Sequence, residues 1–129
     1  IFNYNQFSNQ KKITKSIEIV YGLRNFIGNA NKFSKEAIYI NLKSDSETTE
    51  ITIEDDGNGY PKDVLSKIGE PYLRTKDPIE KSKTGLGLGL FIGKTLLEKN
   101  FATINCRNSK TRNGAEVIIK WNNKDLFNI

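Results

Sequence analysis

The sequence contains no histidine and no methionine, and a single cysteine, Cys106. Without an imidazole there is no Ser-His-Asp or Cys-His catalysis and no His-ligated zinc. With one thiol there is no disulfide framework and no Cys-cluster metal site. Apolar runs extend only a few residues, so no segment reads as a membrane span or a signal peptide. The missing initiator Met points to an excised piece of a longer protein. The lone thiol suits a reducing cytoplasm.

What is present describes one domain. The chain has 129 residues, enough for a single sizeable core. A hydrophobic content of 36%, with seven Phe and five Tyr, fits a packed globule rather than a disordered chain. Lys and Arg number 20 against 15 Asp and Glu, a net charge of +5. That excess permits a polyanionic ligand without demanding one.

Residues 1–15 are Asn/Gln-rich and aperiodic, and read as a linker or a loosely paired edge segment. Ser16 to Ser34 reads as a helix. At about 100° per residue, Ile19, Leu23, Phe26, Ile27, Ala30 and Phe33 share one face, and Asn25, Asn29 and Lys32 form a narrow polar stripe. Ile38, Ile40 and Leu42 alternate with polar residues, as do Ile51 and Ile53, so two strands of a hairpin are expected. Pro61 suits the first turn of a short helix reaching about Lys67. Glu70 to Thr84 is a long polar stretch carrying Arg74, Lys76, Lys81 and Lys83, and such loops commonly serve as lids. A glycine-rich entry at Gly85 then opens a helix ending near Asn100. Two further alternating segments, around Ile104 and from Ala115 to Trp121, flank Asn113-Gly114, a hairpin turn signal. The boundaries expected are therefore a segment 1–15, a domain 16–122 and a tail 123–129. The fold class expected is α+β: a two-layer α/β sandwich, with a mixed sheet of about five strands covered on one face by about three helices.

Three motifs carry chemistry. Gly89 to Thr95 reads G-x-x-x-G-K-T, one residue short of a P-loop, and the required preceding strand is missing. The dinucleotide pattern G-x-G-x-x-G also fails, since Leu90 stands where its last glycine belongs. What remains is G-x-G-x-G opening a helix, where backbone N–H groups can meet phosphate. Asp56-Gly57-Asn58-Gly59 follows a strand: it is either a tight turn or a carboxylate aimed at the amine of a base. The Asn25/Asn29/Lys32 stripe is either a solvated helix face or a hard amide oxygen for Mg²⁺ with a lysine for phosphate.

In this order the motifs resemble the ATP-binding domain of sensor histidine kinases, of the GHKL or Bergerat-fold superfamily. The resemblance covers about residues 16–121. Asn25 and Asn29 match the N box, and Asp56, Gly57 and Gly59 the first glycine box. The segment from Glu70 through Tyr72, Arg74 and Thr75 to Lys76 matches the F box, with Tyr72 where Phe is usual. Residues 85–90 match the second glycine box, and Gly114-Ala115 the small pair before the last strand. The resemblance implies ATP and Mg²⁺ as cofactors. Asn29 would hold Mg²⁺, Asn25 would face the phosphates, Lys32 would reach the terminal phosphates, and Phe33 would pack near adenine. Asp56 would accept from the exocyclic amine. Arg74, Thr75 and Lys76 would close over the triphosphate. Thr84 and the backbone of Gly85, Leu86, Gly87, Leu88, Gly89 and Leu90 would cradle it.

Gyrase, MutL, the ninety-kilodalton chaperone and anti-sigma serine kinases carry a general-base Glu at the position Asn25 occupies. Asn25 cannot take a proton, and a neutral imidazole attacks without deprotonation. The resemblance therefore implies phosphoryl transfer to histidine, with a GHKL ATPase or anti-sigma serine kinase as the alternative. A nucleic-acid partner is not expected, because the basic residues lack aromatic interleaving. The implied partners are ATP or ADP, a histidine-bearing dimerisation domain absent from this chain and, indirectly, a response-regulator receiver domain. The isolated domain is expected to be a monomer. GLRNFIGNA, VLSKIGEPYLRTK and GLGLGLFIGKTLLEK further resemble RegB/PrrB redox-responding kinases. The resemblance implies a cytoplasmic domain; an inner-membrane anchor, where the parent has one, lies outside these residues. Cys106 is expected in the core, not as a sensor thiol. Gly28 and Gly93 depart from good helix-forming choices.

Overall fold

A computed structural model describes residues 2–6, 16–65 and 88–126, with the backbone alone for Phe2–Gln6 and Leu88. The elements are β1 (Phe2–Gln6), α1 (Ile17–Phe33), β2 (Ile38–Ser44), β3 (Thr48–Asp55), α2 (Lys62–Leu65), α3 (Leu88–Lys99), β4 (Thr103–Asn108), β5 (Ala115–Asn122) and α4 (Asn123–Leu126). The sheet order is β1-β2-β3-β5-β4. β1 runs parallel to β2, and the other pairs are antiparallel. The expected mixed sheet of about five strands forms, and residues 2–6, read as a linker or loosely paired edge segment, are its edge strand.

Local chemistry sets the element ends. The Ser16 hydroxyl accepts from the Ile19 N–H at 3.3 Å and so caps α1. At the other end the Ser34 N–H donates to the Ala30 carbonyl. In the β2–β3 turn, Asp45 Oδ1 accepts from Glu47 and Thr48 N–H groups at 2.8 and 2.7 Å. The β4–β5 turn carries Asn113 at φ 64°, a left-handed conformation that Asn tolerates. α3 ends with the Ala102 N–H on Leu97 and the Phe101 N–H on Glu98, the paired bonds of a Schellman stop. Phe101 fills its left-handed position at φ 71°, where glycine is usual.

The core lies between the helices and one face of the sheet. Phe26, Leu90, Leu97, Ile53 and Ile119 are fully buried there. Trp121 joins them, its indole N–H donating to the Asn100 carbonyl at 3.1 Å. Residues 123–126 of the segment read as a tail pack into the domain: Asn123 and Leu126 are buried. Asn123 Oδ1 accepts from the Thr49 hydroxyl at 2.6 Å, and its Nδ2 donates to the Asp45 carbonyl at 2.7 Å. On the other sheet face, Glu54 and Glu116 are cross-strand partners. Arg107 pairs with Glu116, while Glu54 holds the Ser109 hydroxyl at 2.7 Å and Arg112 at 3.7 Å. Two adjacent carboxylates there are thus each matched by an arginine.

Candidate functional site

A cavity of about 250 Å³ opens where the second half of α1 meets the ends of β3 and β5. α1 contributes Phe26, Asn29, Ala30 and Phe33; β3 contributes Ile53 and Asp55; β5 contributes Ala115 and Val117. The loop after β3 closes one side with Asn58, Gly59, Tyr60 and Pro61. The lining is mostly apolar with a few polar groups, as expected of a small-molecule pocket.

The carboxylate in this cavity is Asp55, not Asp56. Strand alternation explains it: Asp55 shares the helix-facing side of β3 with Ile51 and Ile53, and is 3% exposed. Its Oδ1 accepts from the Gly57 N–H at 2.8 Å and the Ala115 N–H at 3.2 Å. Asp56 turns away. It accepts from the N–H groups of Lys35, Glu36 and Ala37 at 2.8, 3.1 and 3.3 Å, and so ties down the loop after α1. Burial works against its charged form, but these backbone donors outweigh it and hold the carboxyl below its ordinary range. The spacing D-x-G-x-G, counted back from Gly59, also begins at Asp55; that signal and the strand period both identify it.

Two glycines let backbone pack where no side chain fits. A Cβ on Gly57 would collide with the Phe33 carbonyl, and one on Gly114 with the Asp55 carbonyl. Gly57 thus lets the post-β3 loop press on the end of α1, and Gly114 lets the β4–β5 turn press on Asp55. Tyr60 is held by Asn108, whose Oδ1 accepts its N–H at 2.6 Å and whose Nδ2 donates to its carbonyl at 3.1 Å. Nothing in the local sequence pattern marks Asn108 for this task.

The other end of the site is built by Asn25, Asn29 and Gly89. The Oδ1 atoms of the two asparagines lie 3.7 and 3.8 Å from where a Cβ on Gly89 would stand, at the start of α3. Asn25 Nδ2 donates to the Tyr21 carbonyl at 2.8 Å. Asn29 Nδ2 is buried without a hydrogen-bond partner among the described residues. A buried amide left unpaired is costly, so this group is suited to an incoming polar ligand. Lys32 is exposed, its ammonium 5.4 Å above the Phe33 ring. Leu90 is in the core, 1% exposed, so only its backbone can serve a ligand. The expected contacts of Tyr72, Arg74, Thr75, Lys76, Thr84, Gly85, Leu86 and Gly87 lie outside the described residues. Among the described residues no helix is long and apolar enough to cross a membrane.

Residues 14–125 match the family described as histidine kinase-, DNA gyrase B- and HSP90-like ATPase. The chain belongs to this family. Among its members, sensor histidine kinase RegB of Cereibacter sphaeroides is 37% identical over 105 residues, covering 78% of this chain and 23% of RegB. The chain therefore spans less than a quarter of that relative's length. The nucleotide-free catalytic domain of histidine kinase ThkA superposes with a TM-score of 0.68 at 21% identity, over 94% of this chain and 76% of that one. Full-length ShkA in complex with AMPPNP gives 0.66 at 21% identity, over 93% and 25%. These structural likenesses establish the ATP-binding-domain fold. Asn29 both lines the cavity and faces Gly89, and so stands between the two groups of residues.

Proposed function

We propose that this chain is the ATP-binding catalytic domain of a two-component sensor histidine kinase. It presents Mg-ATP to a histidine on a dimerisation domain outside these residues. The observation that carries the reading is the two-ended site: a buried carboxylate at the bottom of an apolar cavity, and two amide oxygens converging on a helix start.

The cavity's apolar walls suit a purine, and Asp55 suits its exocyclic amine. Oδ1 already takes two backbone donors, so Oδ2 is the oxygen left for that amine. The amide oxygen of Asn29 is a hard donor for Mg²⁺, and its buried, unpaired Nδ2 supports a ligand at this position. Among the described residues no trio of acidic, Cys or His side chains could hold a metal; Mg²⁺ here would draw its other oxygens from phosphate and water. The ion would neutralise charge on the phosphates being transferred. Lys32 supplies a mobile positive charge at the rim. Asn25 offers no proton acceptor, which suits an acceptor that needs no base. The lid residues Arg74, Thr75 and Lys76, and the loop Thr84 to Leu88, complete the phosphate end in this reading.

The partners follow: the histidine-bearing domain directly, and a response-regulator receiver domain through it. The domain works in the cytoplasm. The alternative, a GHKL ATPase or anti-sigma serine kinase, is disfavoured by Asn25. Calorimetry and phosphate release test the proposal. The chain should bind ATP in a Mg²⁺-dependent way, losing that dependence in Asn29→Ala, and should release no phosphate by itself. Sustained hydrolysis abolished by Asn29→Ala would move the assignment to the ATPase reading, and no ATP binding at all would overturn both.

A further inference from the structure

α1 and α3 run antiparallel and touch through two glycines. We infer that Gly22 and Gly93 are positioning residues: their crossing sets the distance between the Asn25/Asn29 amides and the first turn of α3. The inference rests on the nucleotide reading above and extends it to residues that touch no ligand.

The contact is backbone on backbone. A Cβ on Gly22 would stand 3.3 Å from the Gly93 carbonyl oxygen, and one on Gly93 would stand 3.2 Å from the Gly22 carbonyl oxygen. Each glycine is also roofed by a side chain. Leu97 Cγ would lie 2.6 Å from a Cβ on Gly22, and Phe26 Cε2 would lie 2.8 Å from one on Gly93. Leu97 and Phe26 are 0% and 1% exposed, so neither can move aside into solvent. Helix spacing depends on the side chains at the crossing, and neither Gly22 nor Gly93 contributes one.

The geometry passes from the crossing to the site within two turns. Asn25 follows Gly22 by one turn of α1, and Asn29 follows it by another. Gly89 precedes Gly93 by one turn of α3. Beyond the crossing, Lys99 meets Glu18 at 2.9 Å, as the antiparallel arrangement requires. Asn29 Nδ2 has no hydrogen bond among the described residues, so the place of this amide depends on where the helix holds it. A few tenths of an ångström added at Gly22 would open the gap in which Asn25 and Asn29 face Gly89. Gly28 is the contrast: it is exposed, and a Cβ there meets nothing within 4 Å.

The test measures ATP affinity by calorimetry, with Mg²⁺ and with EDTA, for the wild-type chain, Gly22→Ala, Gly22→Ala/Leu97→Ala and Gly28→Ala. Gly22→Ala should lower its EDTA affinity far less than its Mg²⁺ affinity, since Phe26 alone of the crossing residues also lines the base cavity. It should lose about ten- to a hundredfold of the Mg²⁺ enhancement, the range for supports of a metal site. Gly22→Ala/Leu97→Ala removes the roof, and should regain part of the enhancement although it melts at a lower temperature. A role in stability alone predicts the reverse order. Gly28→Ala should leave both affinities unchanged. Full Mg²⁺ enhancement in a folded Gly22→Ala, or no regain in the double variant, overturns the inference. Should Gly22→Ala not fold, Gly93→Ala is read by the same enhancement. If Asn29→Ala loses Mg²⁺ dependence while Gly22→Ala keeps it, the nucleotide reading stands and only this inference falls.

Discussion

The side chain of Asn108 grips Tyr60 by both ends of its backbone, accepting the N–H at 2.6 Å and donating to the carbonyl at 3.1 Å. Asn108 ends β4, and Tyr60 walls the cavity. The amide thereby does for the loop after β3 what a strand neighbour would do, although among the described residues no strand runs there. Replacing Asn108 with Ala leaves two backbone groups to find water. Each lost bond is worth about 1 kcal/mol, so melting should shift down and ATP affinity should fall about tenfold. Differential scanning calorimetry and ATP titration measure the two effects.

Asp55 and Asp56 are neighbours with different tasks, and the same substitution separates them. Asp55→Asn keeps the size but can present an NH₂ to the amine of adenine. ATP affinity should fall about thirtyfold or more, as when a buried polar partner is mismatched. Asp56→Asn should leave affinity near wild type and lower the melting temperature, because its carboxylate serves the loop at residues 35–37. Equal loss of affinity in both would contradict the placement.

The low carboxyl of Asp56 also predicts a pH response. The group's ordinary value is 3.8, and the folded value lies below it. Asp45, held by the Thr48 and Glu47 N–H groups, behaves alike. Each contributes stability that is present above the ordinary value and lost as pH falls through the folded one. Melting temperature should therefore drop as pH is lowered from about 4. The drop should be shallower in Asp56→Asn, already destabilised at neutral pH.

Cys106 should react slowly. Burial pushes its thiol up to about 11, against the opposing influence of the Tyr60 hydroxyl and Lys94. The thiolate is the reactive form, so alkylation by iodoacetamide at neutral pH should proceed far more slowly than in guanidinium. Labelling followed by mass spectrometry decides the matter. Rapid labelling of the folded chain would contradict a shielded, unreactive thiol.

The frame was legible where periodicity and caps agree. Ser16 and Ser34 bracket a helix whose apolar face and polar stripe follow one period, and α1 lies between them. The two hairpins follow from alternation and from Asn113-Gly114. The Asn25/Asn29 pair was legible because both sit on one helix face. Asp56 invites the wrong assignment because it adjoins Gly57, but the D-x-G-x-G spacing and the alternation through Ile51 and Ile53 both point to Asp55. Asn108 and Asn123 were illegible for a different reason. An amide reveals nothing until long-range folding supplies its partner, here Tyr60 for one and Thr49 for the other.

The central ladder has a consequence for how such domains diversify. β3 and β5 lie side by side in the sheet while Glu54 and its partner Glu116 are separated by about sixty residues, and closing so long a loop is expensive only once. Doubling such a loop adds only about 0.6 kcal/mol. Insertions between Leu65 and Leu88 are accordingly cheap to the fold, which leaves that stretch of sequence free to change in length and composition while the sheet stays the same.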